Sequence, residues 1–229
     1  MRSLSLVIPA HNAERSIEKS ILEYFNVFSK HFKKLEFIIV CNACKDKTFE
    51  ICNSLKSRYP LKIINVPERG KGNALVKGFN QAENSIIGFL DADNPFQLEE
   101  ILKMINFLED ADIVIGTKFK HRSMKYQTST SRRFFSISNA LVSKILFRIY
   151  LSDTQAGAKF MNRYVWDSLE KNFICTGFEF DIELLYRIQQ KKFRIKEYFL
   201  IPKESDYSTV KLRILPGMLK RLFILRFLK

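Results

Sequence analysis

No stretch of this 229-residue chain stays apolar for the ~18 residues needed to cross a bilayer. The opening run, Met1–Pro9, is too short and wrongly flanked for a secretory signal, so the expected location is cytoplasmic. Cysteine is scarce, with Cys41, Cys44, Cys52 and Cys175 the whole complement. Cys41-Asn-Ala-Cys44 has zinc-like spacing, but no second pair or nearby histidine completes four ligands. Reduced thiols without a disulfide framework are expected. No Gly-x-Gly-x-x-Gly follows the first strand pattern, which disfavours a dinucleotide oxidoreductase. Internal repeats and low-complexity tracts are absent as well.

Acidic residues are missing from two long stretches. Ile113 to Ser152 holds no Asp or Glu but eight bases: Lys118, Lys120, Arg122, Lys125, Arg132, Arg133, Lys144 and Arg148. Tyr207 to Lys229 again has no acid and six bases: Lys211, Arg213, Lys220, Arg221, Arg226 and Lys229. Together these fourteen equal the net charge of +14, since the other 24 bases match the 24 acids. An anionic partner is expected at both: phosphate groups, an acidic membrane face or nucleic acid. A basic surface that is merely solvated is the plainer alternative. Aromatic residues lie mostly in apolar periodic segments rather than among the bases, which argues against a nucleic-acid-binding module.

What is present is the composition of one sizeable globular domain, 46% apolar and 27% charged. Strand patterns at Leu4–Ile8, Glu36–Val40, Leu61–Val66, Ser85–Leu90 and Asp112–Ile115 alternate with helix patterns. The helices are read at Glu14–Lys30, Asp46–Arg58, Asn73–Glu83 and Gln97–Leu108. Further on, a helix is expected over Arg132–Tyr150, a turn entering a strand at "DTQAGAKFM", a helix over "GFEFDIELLYRIQQKK" and a last strand at "FRIKEYFLI". This alternation predicts an α/β fold with a mostly parallel central sheet flanked by helices. Ligands of such sheets gather beyond the carboxyl ends of the strands. "PAHN", "CNACKD", "ERGKG" and "DADN" each follow a strand, so all four belong on that rim.

Asp91 and Asp93 stand two apart at the end of a strand expected to be central. Their oxygens suit Mg²⁺ or Mn²⁺, ions that keep positions open for substrate phosphates. Alone, Asp-x-Asp is a weak signal; beside a glycine-rich basic loop it is a stronger one.

At this point the chain resembles a known family. "VIPAHN", "EFIIVCNACKDKT", "RGKGNAL", "FLDADNPF", "DIVIGTKF", "RRFFS", "DTQAGAKF" and "GFEFDIELL" follow in the order seen in inverting family-2 glycosyltransferases of the GT-A fold. Within them the pattern is similar to the dolichyl-phosphate mannose and glucose synthases. The resemblance implies a GT-A (Rossmann-like) domain over residues 1–206, moving a hexose from a nucleotide sugar (GDP-mannose or UDP-glucose) to dolichyl or polyprenyl phosphate with inversion. It implies nucleotide contacts from Pro9, Ala10, Asn12, Glu14, Asn42, Lys71, Asp91 and Ala92, and metal binding by Asp91 and Asp93. Lys118, Arg132 and Ser136 would hold the acceptor phosphate, with Asp93, Arg132 and Lys118 central to catalysis. Asp153, Gln155, Asp181 and Glu183 are second-tier candidates. Glu179, Asp181 and Glu183, close together at the start of a helix, either orient "DTQ", contact the sugar, or simply favour the positive end of the helix dipole. A phosphate acceptor, already ionised near neutral pH, needs cations rather than a general base.

Four positions depart from the family pattern. Ala13 replaces a glutamate, Asn42 a base-contacting aspartate, Pro95 a glutamine of some metal sites, and Lys118 the arginine of a Gly-Ser-Arg motif. Lys118 keeps the charge but loses the bidentate fork. Residues 207–229 form a basic, apolar C-terminal segment, too short to span. It is expected either to seat at an anionic membrane surface on the cytoplasmic face or to dock on the domain, a second copy or a membrane partner subunit. No nucleic acid partner is expected. The rival within enzymes is a nucleotidyltransferase on the same sheet, which attacks phosphorus rather than carbon.

Overall fold

The computed structural model describes residues 2–117, 142–201, 203 and 215–228. In chain order the elements are β1 (Ser3–Ala10), α1 (Ile17–Phe28), β2 (Lys34–Asn42), α2 (Thr48–Leu55), β3 (Leu61–Val66), α3 (Lys71–Asn80), β4 (Ile86–Leu90) and α4 (Leu98–Asn106). Then follow β5 (Ile113–Thr117), β6 (Ala158–Asn162), α5 (Arg163–Ser168), α6 (Phe180–Gln190), β7 (Ile195–Phe199) and α7 (Leu215–Phe227). A single 3₁₀ turn, Phe107–Glu109, closes α4. Residues 142–147 are helical, in line with the expected Arg132–Tyr150 helix, whose first part lies outside the described residues.

Seven strands form one sheet in the order β3-β2-β1-β4-β6-β5-β7. β1 pairs in parallel with β2 and β4, β2 with β3, and β5 with β7. Among the described residues, only β6 runs against its neighbours, β4 and β5. That reversal matters for the site. The loop entering an antiparallel strand emerges on the same rim as the loops leaving its parallel neighbours, and Leu90 lies opposite Ala158. The "DTQAG" loop therefore joins the four loops placed there by the parallel strands.

Strand alternation explains why the interior has two layers. Leu4, Leu6 and Ile8 of β1 enter one core with Phe37, Ile39 and Cys41 of β2, under α1, α2 and α4. Val7, Ile38 and Val40 point the other way, into a second core with α3 and α6. α1 buries Ile17, Ser20, Ile21, Tyr24 and Phe28, a stripe at helical spacing. α7 adds Leu222 and Leu225 to the second core, with Met218 also buried. Its opposite face leaves Leu219, Phe223 and Phe227 about half exposed. Among the described residues, no helix is long and apolar enough to cross a membrane.

Two helix starts differ from the periodic reading for a tertiary reason, and one helix lies outside that reading. α3 starts at Lys71 rather than near Asn73, because backbone carbonyls of Thr176 and Gly177 accept from Asn73 and Gly72 in its first turn. α6 starts at Phe180, because the Glu179 side chain turns back to the Gly177 N–H. α5 was not expected at all: six residues with Val165 and Trp166 buried are too few to show a period.

Candidate active site at the carboxyl rim

The rim loops are bonded one to the next. His11 Nδ1 lies 2.6 Å from the Asn42 carbonyl, and Asn12 Oδ1 accepts the Lys45 N–H at 2.8 Å. Glu14 and the next loop hold each other twice: its N–H donates to Asp46 Oδ2, and its Oε2 accepts from Lys47 N, both at 3.1 Å. Thr48 Oγ1 accepts from Ala13 N, so the alanine that replaces the family's glutamate contributes through its backbone. Asn42 Oδ1 accepts the Gly70 N–H at 3.1 Å and joins the second loop to the third. Lys71 Nζ then reaches Asp91 Oδ1 at 2.7 Å and joins the third to the fourth. Finally, Asp91 N donates to Gly157 O at 3.2 Å, and a Cβ at residue 157 would collide with the Asp91 carboxylate. Glycine is required there by close approach alone.

This packing strains the backbone where the loops turn. Asn12, Ala43 and Asn94 have positive φ (51°, 49° and 44°). Asparagine tolerates that region, alanine less readily, and such residues tend to gather at functional sites.

The Asp91–Asn94 turn rests on α1. Ser20 Oγ donates to Ala92 O at 2.8 Å and Tyr24 OH to Asp91 O at 2.7 Å, while Asn94 Nδ2 bonds to Glu23. Lys203 closes the far side, its N–H on Pro95 O at 2.7 Å and its ammonium 3.1 Å from Glu23 Oε2. Burial raises the Tyr24 pKa well above the usual tyrosine value, and the nearby charges of Asp91 and Asp93 push it further. It is thereby kept a neutral donor. None of these supports stands out in the sequence, because Ser20 and Tyr24 occupy the buried stripe of an ordinary amphipathic helix.

Lys71 sets a cation among the rim carboxylates. Burial disfavours its ammonium, but the charges of Asp91 and Asp181, the hydrogen bond to Asp91 and the charge of Asp93 more than offset this, so its pKa is raised. Beneath it, Lys159 and Asp181 form a pair at 2.7 Å, 0% and 1% exposed, with Lys159 also donating to Ala156 O at 2.9 Å. Asp181 thus lies inside the fold and acts on the rim through charge. Glu183 is also internal: it accepts from Ile174 N and Cys175 N and pairs with Arg187 at 2.6 Å. Asp153 Oδ1 accepts the Gln155 N–H, and buried Gln155 Nε2 and Thr154 Oγ1 have no hydrogen-bond partner among the described residues. Two unpaired polar atoms on a rim loop are groups that a polar ligand would satisfy. Pro9 and Ala10 end β1 opposite Val40 and Cys41, and Ala92 is almost buried. Lys118, Arg132 and Ser136 lie outside the described residues.

The donor set at Asp91 and Asp93 fits a hard divalent ion held by few protein ligands. Asp93 is exposed, and Asp91 is partly exposed and packed against Gly157. Among the described residues no group of three or more His, Cys, Asp or Glu could hold a metal. Two carboxylates with the remaining positions supplied by phosphate and water suit Mg²⁺ or Mn²⁺ and do not suit a closed structural zinc site. The cysteines are consistent with inert thiols. The hydrogen bond with Cys52 and burial drive the Cys41 pKa far up, against a smaller lowering by the hydrogen bond with Cys44.

Comparison with known proteins agrees with this geometry. The chain is 27% identical over 195 residues to a dolichol-phosphate mannosyltransferase of Pyrococcus furiosus, covering 82% of this chain and 54% of that protein. It is 28% identical over 230 residues to a dolichyl-phosphate beta-glucosyltransferase of Trichomonas vaginalis, covering 95% and 70%. The chain therefore spans little more than half of the first relative's length. Among solved structures, glucosyl-3-phosphoglycerate synthase of Mycobacterium tuberculosis with Mn²⁺ and UDP-glucose superposes with a TM-score of 0.71 at 19% identity, over 98% of this chain and 79% of that one. This last likeness establishes the GT-A fold. The profile described as Glycosyl transferase family 2 matches residues 5–178, and the chain belongs to that family.

Proposed function

We propose that this chain transfers a hexose from a nucleoside-diphosphate sugar to a polyprenyl phosphate with inversion of configuration. The observation that carries the reading is the bonded rim, in which nucleotide-side loops lead through Lys71 to the Asp91–Asp93 turn. The names of the two sequence relatives support a lipid-phosphate acceptor, as does the acid-free basic stretch from Ile113 to Ser152.

In the proposed reaction an acceptor phosphate oxygen attacks the anomeric carbon from the face opposite the diphosphate. A new carbon–oxygen bond forms as the bond to the leaving diphosphate breaks, and the nucleoside diphosphate departs. Lys71 supplies fixed positive charge beside the carboxylates, and the unpaired Gln155 Nε2 supplies a donor for sugar or phosphate oxygens. Mg²⁺ or Mn²⁺ on Asp91 and Asp93 would add charge stabilisation for the diphosphate. Lys118, Arg132 and Ser136 are assigned to the acceptor phosphate through the family pattern. The half-exposed Leu219, Phe223 and Phe227, with Lys220 and Arg226 on the same helix, support seating on an anionic membrane surface without crossing it.

The test is a panel of radiolabelled nucleotide sugars, UDP-glucose and GDP-mannose among them, with polyprenyl phosphate in anionic vesicles. Sugar label should pass to the lipid, with flotation of the protein on the same vesicles. Label in the nucleotide rather than the sugar reaching the lipid would identify a nucleotidyltransferase. No transfer from any donor would remove the reading.

A further inference from the structure

Glu179 is fully buried, yet it is not part of the rim. Its Oε1 accepts the Gly177 N–H at 3.1 Å and takes the Arg221 Nε of α7, while Oε2 has no hydrogen-bond partner among the described residues. Arg221, about one-third exposed, is its salt-bridge partner. A carboxylate placed so deep is stable as an anion only while such a cation stays beside it.

The loop that Glu179 holds is the seat of the donor-side helix. Gly177 O accepts from Gly72 N, and Thr176 O from Asn73 N, both at 3.2 Å. A Cβ at Gly70 or Gly72 would run into the backbone of residues 175–176, so α3 lies on this loop with no spacer. Lys71 stands between those glycines and carries the ammonium bonded to Asp91. A continuous physical path therefore runs from α7 through Arg221, Glu179, Gly177 and Gly72 to Lys71 and Asp91.

We propose that Arg221 is a positioning residue for the donor site: by neutralising buried Glu179 it holds the 176–177 backbone under α3 and sets Lys71 on Asp91. The inference rests on the donor-site reading above. Seating of α7 and binding of the nucleoside diphosphate are coupled, and the coupling is reciprocal. Without Arg221, Glu179 is a buried charge left unpaired; it turns toward water and leaves the Gly177 N–H.

The experiment is calorimetric titration of the full chain with UDP and GDP in Mn²⁺. It uses wild type, Arg221→Met, Arg221→Lys, Glu179→Gln and the Arg221→Met/Glu179→Gln double variant, with a melting curve for each. Arg221→Met should bind about 10-fold more weakly, within the usual range of coupling between sites. The double variant should return to within about threefold of wild type, because the neutral amide still accepts from Gly177 and no buried charge is left unpaired. Arg221→Lys should fall between them and serves in place of Arg221→Met if that variant does not fold. Wild-type affinity in Arg221→Met would overturn the proposal. So would a double variant as weak as Arg221→Met, which would mean that the arginine acts only by packing α7. If wild type binds neither nucleoside diphosphate, the donor-site reading itself fails.

Discussion

The two ends of the sheet carry similar residues and use them in opposite ways. At the amino end Glu36 is closed in: Oε1 accepts from Ser5 Oγ, Glu83 N and Asn84 Nδ2, and Oε2 pairs with Lys62 at 2.8 Å. Asp112 is equally occupied, by Tyr164 OH at 2.5 Å and the Arg194 N–H at 2.6 Å. Burial raises the pKa of each, but these hydrogen bonds more than offset it, and both end below the usual value. At the carboxyl end Asp93 is exposed, Asp91 shares its charge with Lys71, and Thr154 and Gln155 hold polar atoms with no hydrogen-bond partner among the described residues. Carboxylates whose bonds are all local stabilise a fold. Carboxylates that stay exposed at the strands' carboxyl ends are where the proposed ligand is placed.

The sharpest way to break this contrast is to make the same substitution at both ends. Asp93→Asn should weaken binding of a nucleoside diphosphate with Mn²⁺ by roughly 10²-fold or more, the scale for removing a preorganised electrostatic group. Its unfolding free energy should change by no more than about 0.5 kcal/mol, as for other surface positions. Asp112→Asn should do the reverse. It should cost about 1–3 kcal/mol of stability, since Asn can no longer take both the Tyr164 and Arg194 donors on charged oxygens, and leave ligand affinity alone. Calorimetry and urea unfolding on both variants read the two quantities. Equal ligand affinity in Asp93→Asn and wild type would leave the rim without its assigned role.

A smaller effect probes how the open carboxylates are held. Tyr24→Phe removes the hydroxyl on Asp91 O and leaves a carbonyl without that donor. About 1–3 kcal/mol of stability should be lost, with a several-fold rise in the Mn²⁺ concentration needed for ligand binding. Stability loss with unchanged Mn²⁺ dependence would mean that α1 braces the core but not the metal turn.

Much of this was legible in the sequence because it depends on local periods. The first five strands and the rim position of "PAHN", "CNACKD", "ERGKG" and "DADN" follow from alternating apolar patterns and the geometry of parallel sheets. Asp91 and Asp93 could be picked out because they end a buried strand. What could not be read depends on contacts between distant segments. The reversal of β6 brings Gly157 against Asp91, and no local pattern announces strand direction. Nothing in "GAKF" marks Lys159 as internal, yet it is buried on Asp181. Asn42 was read as a base contact; its side chain also bridges to Gly70, which a substitution pattern alone does not reveal. Glu179 and Arg221 are 42 residues apart, so their pairing leaves no trace in either neighbourhood.

The smallest expected effect tests whether the amino end is as closed as its bonds imply. Glu36→Gln keeps the shape and one carbonyl acceptor but loses the ion pair with Lys62. Lys62 is 38% exposed on its side chain, so solvent screening limits the pair to about 1 kcal/mol or less. The sign follows from the lowered pKa of Glu36: folding favours its ionised form, so this stabilisation is complete above the unfolded glutamate pKa. It is lost as pH falls through the lower, folded value. Urea unfolding should therefore show a gap between wild type and Glu36→Gln at pH 7 that closes in acid, below the ordinary glutamate range. A gap that persists unchanged after both carboxyl forms are protonated would show that hydrogen-bond geometry, and not charge, distinguishes Glu36 from glutamine. Ligand affinity should be the same in the two proteins throughout, because no bond in the Glu36 network reaches the rim.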